Sequence, residues 1–250
     1  QGSFKNDIPE GVMREYSPEG KINNSKIYSN GIVIAEGIVD EKGLYQGYWK
    51  EFYESGNIKS EGEYFNGKRK GNWKFYYEDG SIEQIGSYNY KGNKDGSWKW
   101  YYQSGKIKRE ENFKDGLEDG LFKEYDENGK VIVQGEYVDG YEEGFWFYDI
   151  GEERVEGNYV GGNRDGIWKV FYKDGKLAFL GKFSDDVPDG KHIYYYTNGY
   201  IKEEGTYVMG LKHGNWRKYN ESDGTLFLDI LYKNGVEKKY NGVPIKPDIN

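Results

Sequence analysis

The sequence contains no cysteine, which excludes disulfides, thiolate zinc sites and a cysteine nucleophile. No run approaches the ~18 consecutive apolar residues that a membrane-spanning helix needs. There are only two histidines, His192 and His213, and no HExxH pattern sets them as metal ligands. A P-loop, a nucleophile elbow and a dinucleotide fingerprint are all missing. No block of like charge occurs either: the 35 Lys and Arg are interleaved with 43 Asp and Glu, for a net charge of −8. That balance argues against a surface tracking nucleic-acid phosphates, and it gives no support to membrane association through anionic lipid. No signal peptide is visible, and the chain opens at Gln1 in mid-pattern, which implies a trimmed N-terminus.

What is present is glycine and aromatic side chain. The 37 glycines are about double the usual ~7% share. Aromatics reach 18% while all hydrophobics together make only 36%, with a mean hydropathy of −0.98. Such a chain lacks the aliphatic mass for a thick core, yet it is too aromatic for disorder. A thin β-structure fits, with rings packed in ladders and glycines in turns.

Aligning the glycines reveals a repeat. Taking Gly47, Gly71, Gly96, Gly120, Gly144, Gly166, Gly190 and Gly214 as unit starts, the steps are 24, 25, 24, 24, 22, 24 and 24 residues. Two places after each start stands Trp49, Trp73, Trp98, Phe122, Trp146, Trp168, His192 or Trp216. Five places after, seven of the eight units carry an aromatic, and nine places after, six of them carry a glycine that closes a turn, with Gly151 shifted in the short unit. Next follows Gly-x-aromatic, as in Gly62–Tyr64 and Gly205–Tyr207; the third unit has Glu111 where that glycine is expected. The last unit places Gly224 one position late.

Each unit holds two strand-favouring runs joined by a short glycine turn, and a second short turn joins unit to unit. Connections this short make neighbouring strands antiparallel. The expected fold is all-β: one elongated, twisted and curved antiparallel sheet of about nine hairpin units of ~24 residues. A single array spans residues 1–240, with regular units over 47–240 and degenerate ones over 1–46, and residues 241–250 form a polar tail holding Pro244 and Pro247. The period of two along a strand puts the Gly and the following aromatic on one face. The glycine should leave a hole there for a ring of the adjacent strand, and the Trp series supplies that ring.

The stretch EGEYFNGKRKGNWKFYYEDG, residues 61–80, resembles the MORN repeat, in its bacterial variant associated with antitoxin-like proteins. The form is G-x-W-x-x-Y-x-x-x-G-x-[IVL] followed by G-x-Y-x-x-G-[KR], and the resemblance covers roughly residues 11–240. It implies consecutive hairpins in an extended sheet, and a role in protein binding or membrane association.

No catalytic set, metal site or cofactor is expected. His192 replaces the Trp of its unit, and His213 lies in an inter-unit turn. Recurrent Asp-Gly before unit starts is what turns require. Adjacent carboxylates such as Glu110 and Glu111 point to opposite faces, so they cannot flank one glycosidic bond. The candidate binding surface is the extra aromatics: Tyr76 and Tyr77; Trp100, Tyr101 and Tyr102; Tyr194, Tyr195 and Tyr196. The sequence therefore points to a non-catalytic scaffold whose partner is another protein, exported to a bacterial surface or periplasm rather than cytoplasmic. A glycan-binding module and a toxin-neutralising protein are the alternatives.

Overall fold

A computed structural model describes residues 2–245. The chain is all-β: 23 strands, each hairpin antiparallel to the next in sequence, and no helix among the described residues. It divides into two compact units, Gln1–Lys130 and Val131–Asn250.

Two kinds of turn alternate, and the backbone chemistry of each explains its residues. Between units, pairs such as Asn66–Gly67 (φ 49° and 75°), Asp139–Gly140 (49° and 86°) and Asn234–Gly235 (50° and 80°) put two consecutive residues in the left-handed region. That is the two-residue type I′ hairpin, which Asn, Asp and Gly tolerate best. Within units the loop is longer. At Tyr53–Asn57 the Gly56 N–H donates to the Tyr53 carbonyl at 2.9 Å, and only Gly56 (φ 86°) is left-handed. This is a type I turn closed by a glycine.

The irregular steps in the repeat are exchanges between turn types. The 25-residue step arises because Asn89–Asn93 adopts the longer loop, with Gly92 donating to the Asn89 carbonyl at 3.0 Å, where its neighbours use a two-residue turn. The 22-residue step arises because Tyr141–Ile150 joins Glu153–Val160 through Gly151 and Glu152 alone, with φ 76° at Gly151. The late Gly224 marks a loop longer by one, its N–H reaching back to Asn220 at 2.9 Å. The ladder also runs past residue 240. Val243–Pro244 pairs with Val236–Tyr240 through Asn241 and Gly242 (φ 46° and 82°), so the boundary expected at 240 falls inside a hairpin. Residues 246–250, with Pro247, lie outside the described residues.

The core is a line of rings on one face. Most unit-start glycines have positive φ, for example Gly71 at 64° and Gly214 at 72°, and there the register slips: Glu61 pairs with Lys74 but Glu63 with Lys70. The bulge swings Trp73 back over the preceding strand, at Gly62. A Cβ on Gly62 would fall inside the Trp73 indole, and the same holds for Gly37 with Trp49, Gly86 with Trp98, Gly135 with Trp146, Gly157 with Trp168 and Gly205 with Trp216. In register on its other side, Trp49 faces Gly62, Trp73 faces Gly86, Trp146 faces Gly157 and Trp168 faces Gly181, while Trp98 faces Glu111 and Trp216 faces Ile230. Five of the six indoles donate Nε1–H to the carbonyl just after the covered glycine, as Trp73 to Glu63 at 3.1 Å and Trp216 to Thr206 at 3.1 Å. Burying rings of this size, with the N–H satisfied, lets a thin sheet hold together. Tyrosines two places after the glycines meet the indoles edge-on: Tyr64 to Trp73 at 5.0 Å, Tyr159 to Trp168 at 4.9 Å and Tyr207 to Trp216 at 4.9 Å.

Candidate functional site

The candidate aromatics are parted by the pleat. Tyr76, Tyr101 and Tyr195 lie on the face opposite the indoles. Tyr76 donates there to Glu61 at 2.6 Å, as Tyr125 does to Glu110 at 2.7 Å and Tyr219 to Glu204 at 2.8 Å. Trp100 and Tyr194 lie on the indole face. Tyr77, Tyr102 and Tyr196 stand at the intra-unit turns, and each hydroxyl donates to a backbone carbonyl of the next repeat: Tyr77 to Tyr101 at 2.7 Å, Tyr102 to Tyr125 at 2.7 Å and Tyr196 to Tyr219 at 3.1 Å. Tyr53 and Tyr172 do the same. These tyrosines therefore bolt one hairpin to the next. Of the eight candidates Tyr194 is the most exposed, at 36%, and the other seven are half-buried.

His192 occupies a tryptophan place in full. Its Nε2 lies 2.8 Å from the Lys182 carbonyl, where its siblings have indole N–H, and a carbonyl only accepts, so Nε2 carries the hydrogen. Burial pushes its pKa below the ordinary imidazole value, which keeps the ring neutral.

A second row, invisible in the aromatic pattern, covers the rings. Two places before the unit glycine, five of the eight units carry Tyr45, Arg69, Lys94, Arg164 or Lys212. Tyr45 stacks on Trp49 at 4.1 Å. Arg69 lies 4.4 Å over Trp73, Lys94 4.6 Å over Trp98, Arg164 4.2 Å over Phe183 and Lys212 3.9 Å over Trp216. Backbone geometry places these lids: Gly67 N–H donates to the Tyr45 carbonyl, Gly116 to Lys94 and Gly235 to Lys212, each at 2.9 Å. The attraction is that of a cation to a ring face. Burial lowers the Lys94 pKa from its usual value.

Within Gln1–Lys130 three of the candidate aromatics, Tyr77, Trp100 and Tyr101, line one cleft of about 220 Å³. Its remaining walls are charged: Glu83, Glu124, Lys108 and Arg109. Arg109 is already engaged, 3.9 Å over the Trp100 ring and 3.7 Å from the carboxylate of Glu111. Glu111 fills the place of the missing glycine, and burial raises its pKa above the ordinary carboxyl value. Glu83 and Glu124 have no ion pair among the described residues. No group of three His, Cys, Asp or Glu among the described residues could hold a metal ion.

Fold and surface together define a tandem β-hairpin repeat protein built on a glycine–indole ladder. The family model described as the MORN repeat variant matches six segments, residues 45–66, 69–90, 94–115, 118–139, 164–185 and 188–209, together just over half of the chain. The chain belongs to that family. Repeats of this kind serve commonly as binding scaffolds and are generally non-catalytic. The match passes over the hairpin with the shortened turn at Gly151. No curated protein matches the chain in sequence.

Proposed function

We propose that the protein is a non-catalytic scaffold that binds another protein through the inter-unit turns of Val131–Asn250. The observation that carries this is Met209. The first position of the two-residue turn is Asn66, Asp115, Asp139, Gly161, Asp185 or Asn234 elsewhere, residues suited to a left-handed backbone. Met209 holds φ 48° there and is 82% exposed. A left-handed non-glycine costs ~1–3 kcal/mol unless its side chain can bond locally, and a thioether cannot. An exposed, strained methionine lowers the stability of the free chain, which makes sense as a contact residue. Val187, Val208 and Leu211 are exposed beside it.

The bacterial, surface-associated and toxin-neutralising readings are finer forms of the same proposal, and the identity of the captured partner separates them. A glycan partner is less well supported: Trp100, the ring on which a sugar would stack, already carries the Arg109 guanidinium.

Capture of partners on the immobilised chain, repeated with Met209→Asn, tests the reading. The variant is expected to gain about 1 kcal/mol in urea unfolding and to lose at least ~10-fold in affinity for the captured partner. Unchanged affinity in a stabilised variant contradicts it.

A further inference from the structure

In most hairpins with a tyrosine at the intra-unit turn, the residue after the first position of the returning strand is a lysine that reaches over that ring. Lys59 lies 5.7 Å over Tyr53, Lys108 5.7 Å over Tyr102 and Lys202 5.8 Å over Tyr196. The register slips at this point, as between Phe75 and Tyr76, so the residue there is out of the pleat and free to lean over the turn. Beside Tyr77 the same place is held by Glu83. Among the described residues no cation of the chain lies over the Tyr77 ring.

This exchange sits in the 220 Å³ cleft described above. Glu83 and Glu124 both line it, neither in an ion pair among the described residues, together with Tyr77, Trp100 and Tyr101. Of the two cations in the lining, Arg109 is held by Trp100 and Glu111, and Lys108 belongs to Tyr102. An aromatic face next to unspent carboxylates attracts a cation by two additive terms, ring quadrupole and charge.

We infer that this cleft binds a primary alkylammonium group, of the kind a lysine side chain carries, supplied from outside the chain and seated over Tyr77 between Glu83 and Glu124. The ligand repeats in trans the contact that Lys59, Lys108 and Lys202 make in cis. The site lies in Gln1–Lys130, and the inference does not depend on the Met209 turn binding anything. Burial and then the Glu83 charge raise the Tyr77 pKa, in keeping with a negative field at the ring.

The test is a nuclear magnetic resonance titration of the full chain with N-acetyl-lysine methylamide, putrescine and the uncharged N-acetyl-norleucine methylamide. The two amines are expected to give saturable shifts at Tyr77, Tyr101 and the Trp100 indole, with Kd on the order of millimolar, and norleucine none. A tighter response to the lysine derivative assigns the cation to a peptide side chain; a tighter response to putrescine assigns it to a free amine. Glu83→Lys restores the sibling arrangement, so it should fold normally, with other resonances unmoved, and weaken binding by about tenfold or more. Glu124→Gln should weaken it about threefold, and salt near ~0.5 M should weaken the wild type. Absence of saturable shifts at the cleft, equal shifts with norleucine, or full binding by Glu83→Lys overturns the inference. Any of these leaves the Met209 proposal standing, because that proposal is read from partner capture.

Discussion

In Gln1–Lys130 the glycine–indole ladder is interrupted at Glu111 and Phe122, where both the glycine and the indole are gone. In Val131–Asn250 Gly181 is kept and only the indole is replaced, by His192. The second interruption costs little chemistry. Imidazole keeps an N–H for the Lys182 carbonyl, and Phe179, 5.4 Å away, takes up space that the smaller ring leaves, since a Cβ on Gly181 would meet both. The first brings a carboxyl into the core, with Arg109 as its ion-pair partner at 3.7 Å. The row beside it mixes polar side chains with rings in that unit: Glu51 accepts from Ser60 at 2.6 Å and from Tyr64 at 3.1 Å, and Phe75, Gln84, Trp100, Arg109 and Glu124 follow across the strands. The equivalent row of Val131–Asn250 begins Val133, Tyr148, Val155, Val170 and Phe179. A ring position is thus defined by volume and one N–H, and the glycine position by the absence of volume.

The largest effects should come from the ladder itself. Trp73→Ala and Trp216→Ala are each expected to cost ~3–5 kcal/mol in urea unfolding. His192→Ala should cost less, roughly 2 kcal/mol, because a smaller ring is lost beside a phenylalanine already sharing its place. Equal losses at His192 and Trp216 would erase the distinction between the two interruptions. Next in size is an attempt to repair Glu111 and Phe122. Phe122→Trp alone should destabilise by ~1–3 kcal/mol through overpacking. Combined with Glu111→Gly it should recover at least ~1 kcal/mol beyond additivity. Strictly additive effects would mean that the two positions do not share one space.

The smallest effects are in pH, and the two interruptions should pull in opposite directions. His192 has a lowered pKa when folded, so the unfolded chain binds more protons below about 6.5. Its contribution is complete above that value and is lost as pH falls towards the folded pKa. Glu111 has a raised pKa when folded, so the folded chain binds more protons above about 4.5. Its contribution is complete below that value and is lost as pH rises. Unfolding curves between pH 4 and 8 for Glu111→Gln and His192→Ala should flatten the opposite limbs of the stability profile. If both variants flatten the same limb, one of the two assignments is wrong.

Most of the fold was legible because its determinants are local. Asn-Gly and Asp-Gly specify a left-handed turn within two residues, and the glycine-to-Trp spacing carries strand period and face. Even the odd steps, 25 at Gly96 and 22 at Gly166, contained the exchange of one turn type for another. The lids were missed, although Lys or Arg recurs two places before the unit glycine in NGKRKG, GNKDG, GNRDG and GLKHG. The signal was there, but it reads equally well as solvated charge. Consecutive rings mark Tyr77, Tyr102 and Tyr196 in the sequence, but not their bonding: the hydroxyls reach carbonyls 23 or 24 residues on, a distance that no local pattern encodes. Glu83 carries meaning only through a register slip, which depends on the partner strand.

The ladder is tested most directly by a double-mutant cycle on Gly62 and Trp73, with stability read from urea unfolding. In the parent chain Gly62→Ala should cost about 3 kcal/mol, because its Cβ enters the indole. In a Trp73→Ala background the same change should cost nothing or stabilise slightly, since the space is open and alanine suits a strand better than glycine. An equal penalty in both backgrounds would contradict the interlock.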